Sequence, residues 1–168
     1  MYKKSTQGSS LELIPFRPQD YSLLIDWINS EELNYLWGGP CYQFPLDFEQ
    51  IAAHCQDVDT HAYILKNNHV SIGFIELIKM TKHHFRIARV FIHPNHRGLR
   101  FGHRMLEMVC QRAKQQHNAK HLTLRVFSKN KAALACYYSL GFKPFSSHLN
   151  VRQYKDQIWD LIEMELML

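Results

Sequence analysis

The chain has 168 residues, of which 46% are hydrophobic and 21% are charged, a composition typical of a soluble globular protein. The length suits one domain, and neither a membrane-spanning apolar run nor a signal peptide is evident. The four cysteines are scattered without a CxxC pair, which predicts free thiols and a cytoplasmic location.

The net charge of +5 is distributed unevenly along the chain. Residues 82–131 hold 12 lysines and arginines but one acid, Glu107, so this segment carries +11. The remaining residues hold 8 bases and 14 acids and carry −6. Such asymmetry predicts that the middle segment meets an anion, either nucleic acid or a phosphorylated small molecule. A solvated basic face is the alternative.

The first third of the chain predicts one strand and three helices. Residues 1–9 are predicted to form a flexible leader, and residues 10–168 are predicted to form a single domain. The alternating LELIPF predicts a strand. Helices are expected in DYSLLIDWINS, with Asp20 as N-cap, and from Ser30 to Trp37, where Gly38-Gly39-Pro40 follows. The third is DFEQIAAHCQ, with Asp47 as a possible cap.

Strands dominate the rest of the chain. HAYILK and VSIGFIELIKM predict a hairpin with its turn at residues 67–69, and HFRIARVFI predicts a third strand. A helix follows from about Phe101 to His117, then the strand HLTLRVF, the helix NKAALACYYSL closed by Gly141, and the strand QIWDLIEMELML. The apolar face of the first of these helices is formed by Met105, Met108, Val109 and Ala113. This order predicts an α/β fold in which helices flank one mixed central sheet.

The stretch HPNHRGLRFGHRML, between a predicted strand and a predicted helix, has the features of an anion site. The first N–H groups of a helix lack intrahelical partners, and the helix dipole favours negative charge there. Gly98 and Gly102 permit close backbone approach or positive φ. The added side-chain donors are Arg97, Arg100, His103 and Arg104. The spacing matches neither the dinucleotide nor the nucleoside-triphosphate loop. A tight turn with solvated arginines is the alternative.

Two segments carry a family resemblance. IARVFIHPNHRGLRFGHRML resembles the acetyl-CoA-binding segment of the GNAT superfamily of N-acetyltransferases, with Arg97 and Gly102 in the first and last motif places and Arg100 where a glycine is usual. NKAALACYYSLGF resembles the next family motif, and it matches at Asn130, Ala133, Tyr137, Gly141 and Phe142. The early tryptophan helices and the IWDLIEMEL tail resemble the branch of aminoglycoside and ribosomal-protein N-terminal acetyltransferases.

The resemblance implies a single-domain GNAT fold that transfers an acetyl group from acetyl-CoA to a primary amine by direct attack in a ternary complex. The cofactor would lie in a gap between the strands that end near Ile92 and Phe127. Its implied contacts are Val90, Phe91, Ile92, Arg97, Gly98, Leu99, Arg100, Phe101, Gly102, His103, Asn130 and Ala133. A ligand with three phosphate groups would explain the +11 segment.

The resemblance also implies a general acid. Tyr137 would protonate the departing CoA sulfur, unless it is simply a core tyrosine, and Tyr138 is the weaker choice on the same helix. The Val90 N–H would polarise the thioester carbonyl. Asn130 would hold the pantetheine arm or cap the helix, and Cys136 is expected to pack rather than react.

The general base is harder to identify. Some family members carry a strand glutamate at the place that Arg86 holds here. Glu76 on the preceding strand could act directly or through water, or it could be a solvent-facing strand residue. His84 and His93 titrate in a useful range. Proton loss to water, with no single base, is also open.

The sequence also bears on metal ions and nucleic acid as partners. No metal site is expected, because the histidines lack companion ligands. Nucleic-acid binding as the main role is disfavoured, because aromatic residues do not alternate with the basic ones. A non-catalytic acyl-CoA-binding module of the same fold is the alternative function. The acceptor would be an unidentified small molecule or peptide that binds beside Trp37, Tyr42, Glu31 and Glu32, unless the two acids are simply solvated helix residues. The chain is expected to be a monomer or homodimer.

Overall fold

A computed structural model describes residues 10–168, and the predicted leader at residues 1–9 lies outside that part of the chain. The strands are β1 (Leu11–Pro15), β2 (Thr60–Asn67), β3 (Val70–Lys79), β4 (His84–Ile92), β5 (His121–Phe127), β6 (Lys143–Tyr154) and β7 (Gln157–Met167). The helices are α1 (Tyr21–Trp27), α2 (Glu31–Gly38), α3 (Phe48–Cys55), α4 (Phe101–His117) and α5 (Lys131–Ser139). Short 3-10 turns lie at Pro18–Asp20, Gly39–Cys41 and Pro94–His96.

The strands form one sheet in the order β1-β2-β3-β4-β5-β7-β6, in which β4 and β5 are parallel and all other neighbours antiparallel. This confirms the mixed α/β class and adds β6, a strand that the sequence did not predict. β6 is an edge strand whose side chains are mostly exposed, so it lacks the apolar alternation that marks a half-buried strand. Its order comes from pairing with β7.

The helices α1, α2 and α3 begin where the sequence predicted, but the predicted side-chain caps form only at α2 and α3. The Ser30 hydroxyl accepts from Leu33 N at 3.2 Å, and the Asp47 carboxylate accepts from Gln50 N at 2.8 Å. The predicted cap Asp20 makes no side-chain bond to α1. Its carboxylate instead accepts from Arg17 N at 3.0 Å, because a 3-10 turn precedes the helix directly.

Two apolar clusters cover opposite faces of the sheet. α4 and α5 pack on one face, against side chains that include Phe85 and Ile87 of β4, while α1–α3 pack on the other, against side chains that include Phe91. The alternation of side chains along β4 is interrupted by a β-bulge, because Arg89 and Val90 both stand opposite the single residue Ile75 of β3. Phe91 therefore lies on the opposite face from the earlier odd-numbered residues Phe85 and Ile87. This β-bulge places Arg89 at a φ of +49°.

Gly73 lets β4 and α4 approach β3 closely. A Cβ at this residue would lie 2.7 Å from Ile92 Cδ1, 2.9 Å from the Phe91 carbonyl oxygen and 3.2 Å from Met105 Sδ. The carbonyl oxygen belongs to the backbone of β4 and cannot move without shifting the strand. The glycine therefore helps to fix the end of β4 beneath the first turns of α4.

We expect Gly73→Ala to lower the free energy of unfolding by roughly 1–3 kcal/mol, because the added methyl group overpacks the β3–β4 contact. Urea unfolding followed by circular dichroism measures the change. Gly102→Ala is the matched control, because its Cβ would meet only Ile92 Cγ1 at 3.7 Å, an ordinary contact. An equal loss in both variants would contradict the packing argument.

Stability should also depend on a histidine pair. The rings of His61 and His117 lie 4.5 Å apart. Burial lowers the pKa of both, the charge of His61 further lowers that of His117, and Lys79 opposes protonation of either. The unfolded chain therefore binds protons more readily than the folded one as the pH falls through about 6.5.

We expect the free energy of unfolding to fall as the pH is lowered from about 7.5 to 5.5, since only histidines titrate freely in that range. The fall should be smaller in His117→Gln, measured by urea unfolding at each pH. His69→Gln, in the exposed turn between β2 and β3, serves as the control and should keep the wild-type slope. An unchanged slope in His117→Gln would exclude the pair as the cause.

Candidate functional site

The site is built where β4 and β5 diverge. Their pairing runs only from His84 opposite His121 to Ile87 opposite Leu124, and β5 continues against β7 on its other side. Beyond this point the strands separate, and no strand within residues 10–168 pairs with the β5-facing edge of residues 88–92. An unpaired strand edge offers its backbone groups to an extended ligand.

Two adjoining cavities occupy the gap, with volumes of about 720 Å³ and about 120 Å³. The residues that line both are Leu36, Trp37, Val90, Asn130 and Tyr137. The larger one runs between the β4–α4 loop and α5, and the smaller one continues toward Arg125 and Phe127 of β5. No aspartate or glutamate of the described residues lines either cavity.

The larger cavity brings together eleven of the twelve residues predicted to bind the cofactor. They are Val90, Phe91, Ile92, Arg97, Gly98, Arg100, Phe101, Gly102, His103, Asn130 and Ala133. Leu99 does not line it, and 62% of this residue is exposed. Further lining residues, which the sequence did not assign to the cofactor site, come from α2, the Pro94–His96 turn, α4 and α5: Leu33, Leu36, His96, Leu106, Ala132, Cys136 and Ser139. Most of them are small or apolar and carry no chemical signature, so only the folded arrangement identifies them.

The loop before α4 forms a backbone cradle. Gly98 has a φ of +76° and Arg100 a φ of +63°, both in the left-handed region. The first hydrogen bond of α4 joins Arg104 N to the Arg100 carbonyl oxygen at 3.0 Å. The N–H groups of Phe101, Gly102 and His103 precede that bond and have no acceptor within the helix, which suits an anion.

Arg97 makes two contacts that hold the loop against the end of β4. Its Nε donates to the Ile92 carbonyl oxygen at 2.9 Å, and its guanidinium lies 5.7 Å from the centre of the Phe91 ring. These contacts fold the side chain back onto the end of β4. Arg97 therefore stiffens the turn from strand to loop in addition to contributing positive charge.

Tyr137 lies where the two cavities meet. Only 6% of the residue is exposed, and burial raises its pKa above the ordinary range for tyrosine. The phenol therefore remains protonated near neutral pH and can donate a proton. Tyr138, by contrast, is 51% exposed on the outer side of α5.

Two neighbours of Tyr137 have clear structural roles. The Asn130 side chain accepts from Ala133 N at 3.1 Å, which caps α5, and Asn130 lines both cavities as well. Burial raises the pKa of the Cys136 thiol, so it stays protonated and is a poor nucleophile.

Glu76 lies outside both cavities. Its exposed fraction is 0%, which excludes the solvent-facing alternative. Arg89 Nη1 binds one carboxylate oxygen, and His54 Nε2 lies 3.1 Å from each oxygen. Arg89 Nη2 also contacts Cys41 Sγ at 2.7 Å. Burial, and then the charge of Glu76, raise the pKa of Tyr42, which keeps that phenol neutral.

The predicted acceptor-side residues separate into two groups. Trp37 lines both cavities, donates from Nε1 to the Arg89 carbonyl oxygen at 2.9 Å, and stacks on Tyr42 with ring centres 5.5 Å apart. Tyr42 is buried behind it and lines neither cavity. Glu31 and Glu32 are exposed and line neither cavity, and Glu31 accepts from the Tyr154 hydroxyl at 3.3 Å.

The histidine candidates for a base also lie outside the cavities. His84 Nε2 lies 2.8 Å from the Thr123 hydroxyl, and burial lowers its pKa. His93 Nδ1 accepts from Asn95 N at 3.3 Å. Residues 10–168 contain no cluster of three metal-binding side chains and no helix long and apolar enough to cross a membrane.

Comparison with known proteins assigns the chain to a family and identifies solved structures with a similar fold. The acetyltransferase (GNAT) family model matches residues 24–142. The fold is similar to spermidine N-acetyltransferase from Vibrio cholerae in complex with CoA and spermine, at a TM-score of 0.82, 18% identity and coverage of 94% of this chain and 95% of that one. It is also similar to a dodecameric structure of that enzyme in an intermediate state, at a TM-score of 0.77, 18% identity and coverage of 94% and 93%.

We expect Arg100→Gly to raise the free energy of unfolding by about 1 kcal/mol, because glycine adopts a positive φ without the steric cost that a Cβ incurs. Arg100→Ala is the matched control, since it removes the same charge but keeps the Cβ. Urea unfolding of both variants isolates the backbone contribution. Equal stability of the two variants would show that the left-handed conformation is not strained.

Proposed function

Because this chain belongs to the acetyltransferase (GNAT) family, and is therefore an acetyl-CoA-dependent N-acetyltransferase, we propose that it acetylates a primary amine by direct attack in a ternary complex. The observation that carries the proposal is the meeting of two cavities at Tyr137. One cavity holds the features that suit the cofactor, and the other offers a separate approach for an amine. No covalent enzyme intermediate is needed.

The residues of the larger cavity fit acetyl-CoA. The free N–H groups at the start of α4 suit a diphosphate, and the unpaired edge of β4 suits the two amides of a pantetheine arm. We propose that residues 98–103 hold the diphosphate and that Val90 and Ile92 pair with the arm. Arg97 and Arg100 supply positive charge beside the phosphates.

Acetyl-CoA supplies an activated acetyl group and a thiolate leaving group. The Val90 N–H would donate to the thioester oxygen as negative charge develops there. Tyr137 would give its proton to the departing sulfur as the amine nitrogen bonds to the acetyl carbon and the carbon–sulfur bond breaks. The proton lost by the amine goes to water, and Tyr137 regains its own proton from solvent.

Glu76 is better suited to positioning than to direct proton transfer. Both of its oxygens already have partners, and no part of the residue is exposed. Through Arg89 it braces the β-bulge from which Val90 follows. We therefore propose that proton removal from the amine uses water and that Glu76 keeps the backbone of β4 in place.

A non-catalytic acyl-CoA-binding module remains the competing proposal. Arg100 at a left-handed position and the lack of a carboxylate along the cavities support it. The buried, protonated Tyr137 at the junction of the cavities supports catalysis. Measuring turnover and cofactor affinity on the same variants separates the two.

We expect Tyr137→Phe to bind acetyl-CoA as tightly as wild type while kcat for amine acetylation falls by about 10²–10⁴-fold, the usual contribution of a general acid. Calorimetry measures binding, and release of free CoA thiol measures turnover. Tyr138→Phe is the matched control and should keep full activity. Unchanged kcat in Tyr137→Phe would remove this tyrosine from the chemistry, and tight binding without turnover by wild type would favour the non-catalytic module.

A further inference from the structure

The acceptor side of the gap is unusual in its charge. The smaller cavity is lined by apolar side chains, by Tyr137 and Asn130, and by two arginines, Arg89 and Arg125. Glu76 neutralises Arg89. Since no acid of the described residues lines this cavity, it lacks the carboxylates that would bind a polycation.

A second arginine stands next to Arg125. Arg86 pairs in register with Thr123 on the parallel neighbour β5, and Arg125 follows Thr123 by two residues, so all three share a face of the sheet. That face is opposite to the one that Phe85 and Ile87 present to α4. Arg86 stands just before the strands separate and Arg125 just after, so the two flank the opening of the gap.

The local charge is not balanced. Arg125 Nε lies 3.3 Å from Glu163 Oε2, and the other oxygen of Glu163 lies 2.7 Å from His148 Nε2. Arg86 forms no ion pair with a residue of the described chain, and its Nε is buried without a hydrogen-bond partner. Burial and then the charge of Arg125 lower the pKa of Arg86, and the charge of Glu163 offsets part of this lowering.

A half-buried guanidinium without a counterion is costly, and an anion that reaches it recovers the lost interaction. Leu36, Trp37 and Phe127 line the smaller cavity, to which Arg125 contributes and beside which Arg86 lies, and would hold an apolar body. We infer that the acceptor is an amine that also carries a carboxylate or phosphate group, which Arg86 and Arg125 bind where the β4–β5 gap opens. This inference rests on the proposed acetyl transfer and specifies its substrate class.

The test compares amines that differ only in the anionic group. The pairs are phenylalanine with 2-phenylethylamine, and 2-aminoethyl phosphate with ethanolamine, so that the two arms distinguish carboxylate from phosphate. Spermidine is added as a polycation. The anionic group also alters the amine pKa, so the decisive quantity is how each ratio of kcat/KM changes between wild type and Arg86→Gln.

We expect at least one anionic amine to exceed its partner by about tenfold or more in kcat/KM, the effect of one charged hydrogen bond. Arg86→Gln and Arg125→Gln should each reduce that ratio by about tenfold, mainly through a higher KM for the anionic amine. Arg17→Gln is the control, because Arg17 is exposed and lines neither cavity, and it should keep the wild-type ratio of kcat/KM values.

Several outcomes would overturn the inference. A higher kcat/KM for 2-phenylethylamine, ethanolamine or spermidine than for the anionic amines would overturn it, and so would ratios of kcat/KM that neither arginine variant alters. Both outcomes would leave the proposed acetyl transfer intact. If wild type binds acetyl-CoA by calorimetry but acetylates none of the five amines, the proposed function fails and this inference with it. Should Arg86→Gln not fold, the wild-type ratios and Arg125→Gln still decide the question.

Discussion

The buried ion pair between Glu76 and Arg89 determines the geometry of β4, on which the site depends. A carboxylate with no exposed surface is stable only if it is paired, and here Arg89 and His54 provide the partners. The pairing draws the Arg89 side chain to the α1–α3 side and holds its backbone at a positive φ. The resulting bulge carries Phe91 to that side as well and ends the regular pairing along which β4 and β5 run together.

The consequences of the bulge extend to both cavities. Trp37 donates to the Arg89 carbonyl oxygen, which ties α2 to the bulge and makes α2 a wall of the smaller cavity. On the other face, Gly73 allows β4 and Met105 of α4 to approach β3, so the first turn of α4 sits beside the end of β4. One strand thus contributes to the proposed phosphate cradle, to the proposed acyl position and to the wall of the proposed acceptor cavity.

Sequence reasoning succeeded where a local pattern decides the structure. The strand, glycine loop and helix around Gly98, and the cap at Asn130, follow from short-range rules, and the structure brings most of those residues to one cavity. The failures had non-local causes. β6 is ordered by β7 rather than by a core, Asp20 is drawn into a preceding turn, and the surroundings of Glu76 depend on Arg89 and His54, which are distant in sequence.

Within the part of the chain that the structure describes, no acid lines the cavities, and this bears on how the amine would become a nucleophile. Nearby positive charge disfavours the ammonium form, so a basic cleft lowers the pKa of a bound amine. Arg125 and Arg86 at the proposed acceptor opening would have this effect, whereas a carboxylate in their place would stabilise the inactive cation. A cleft of this kind needs only water to accept the proton. The same charges that would bind an anionic group on the acceptor therefore also favour its neutral, reactive amine.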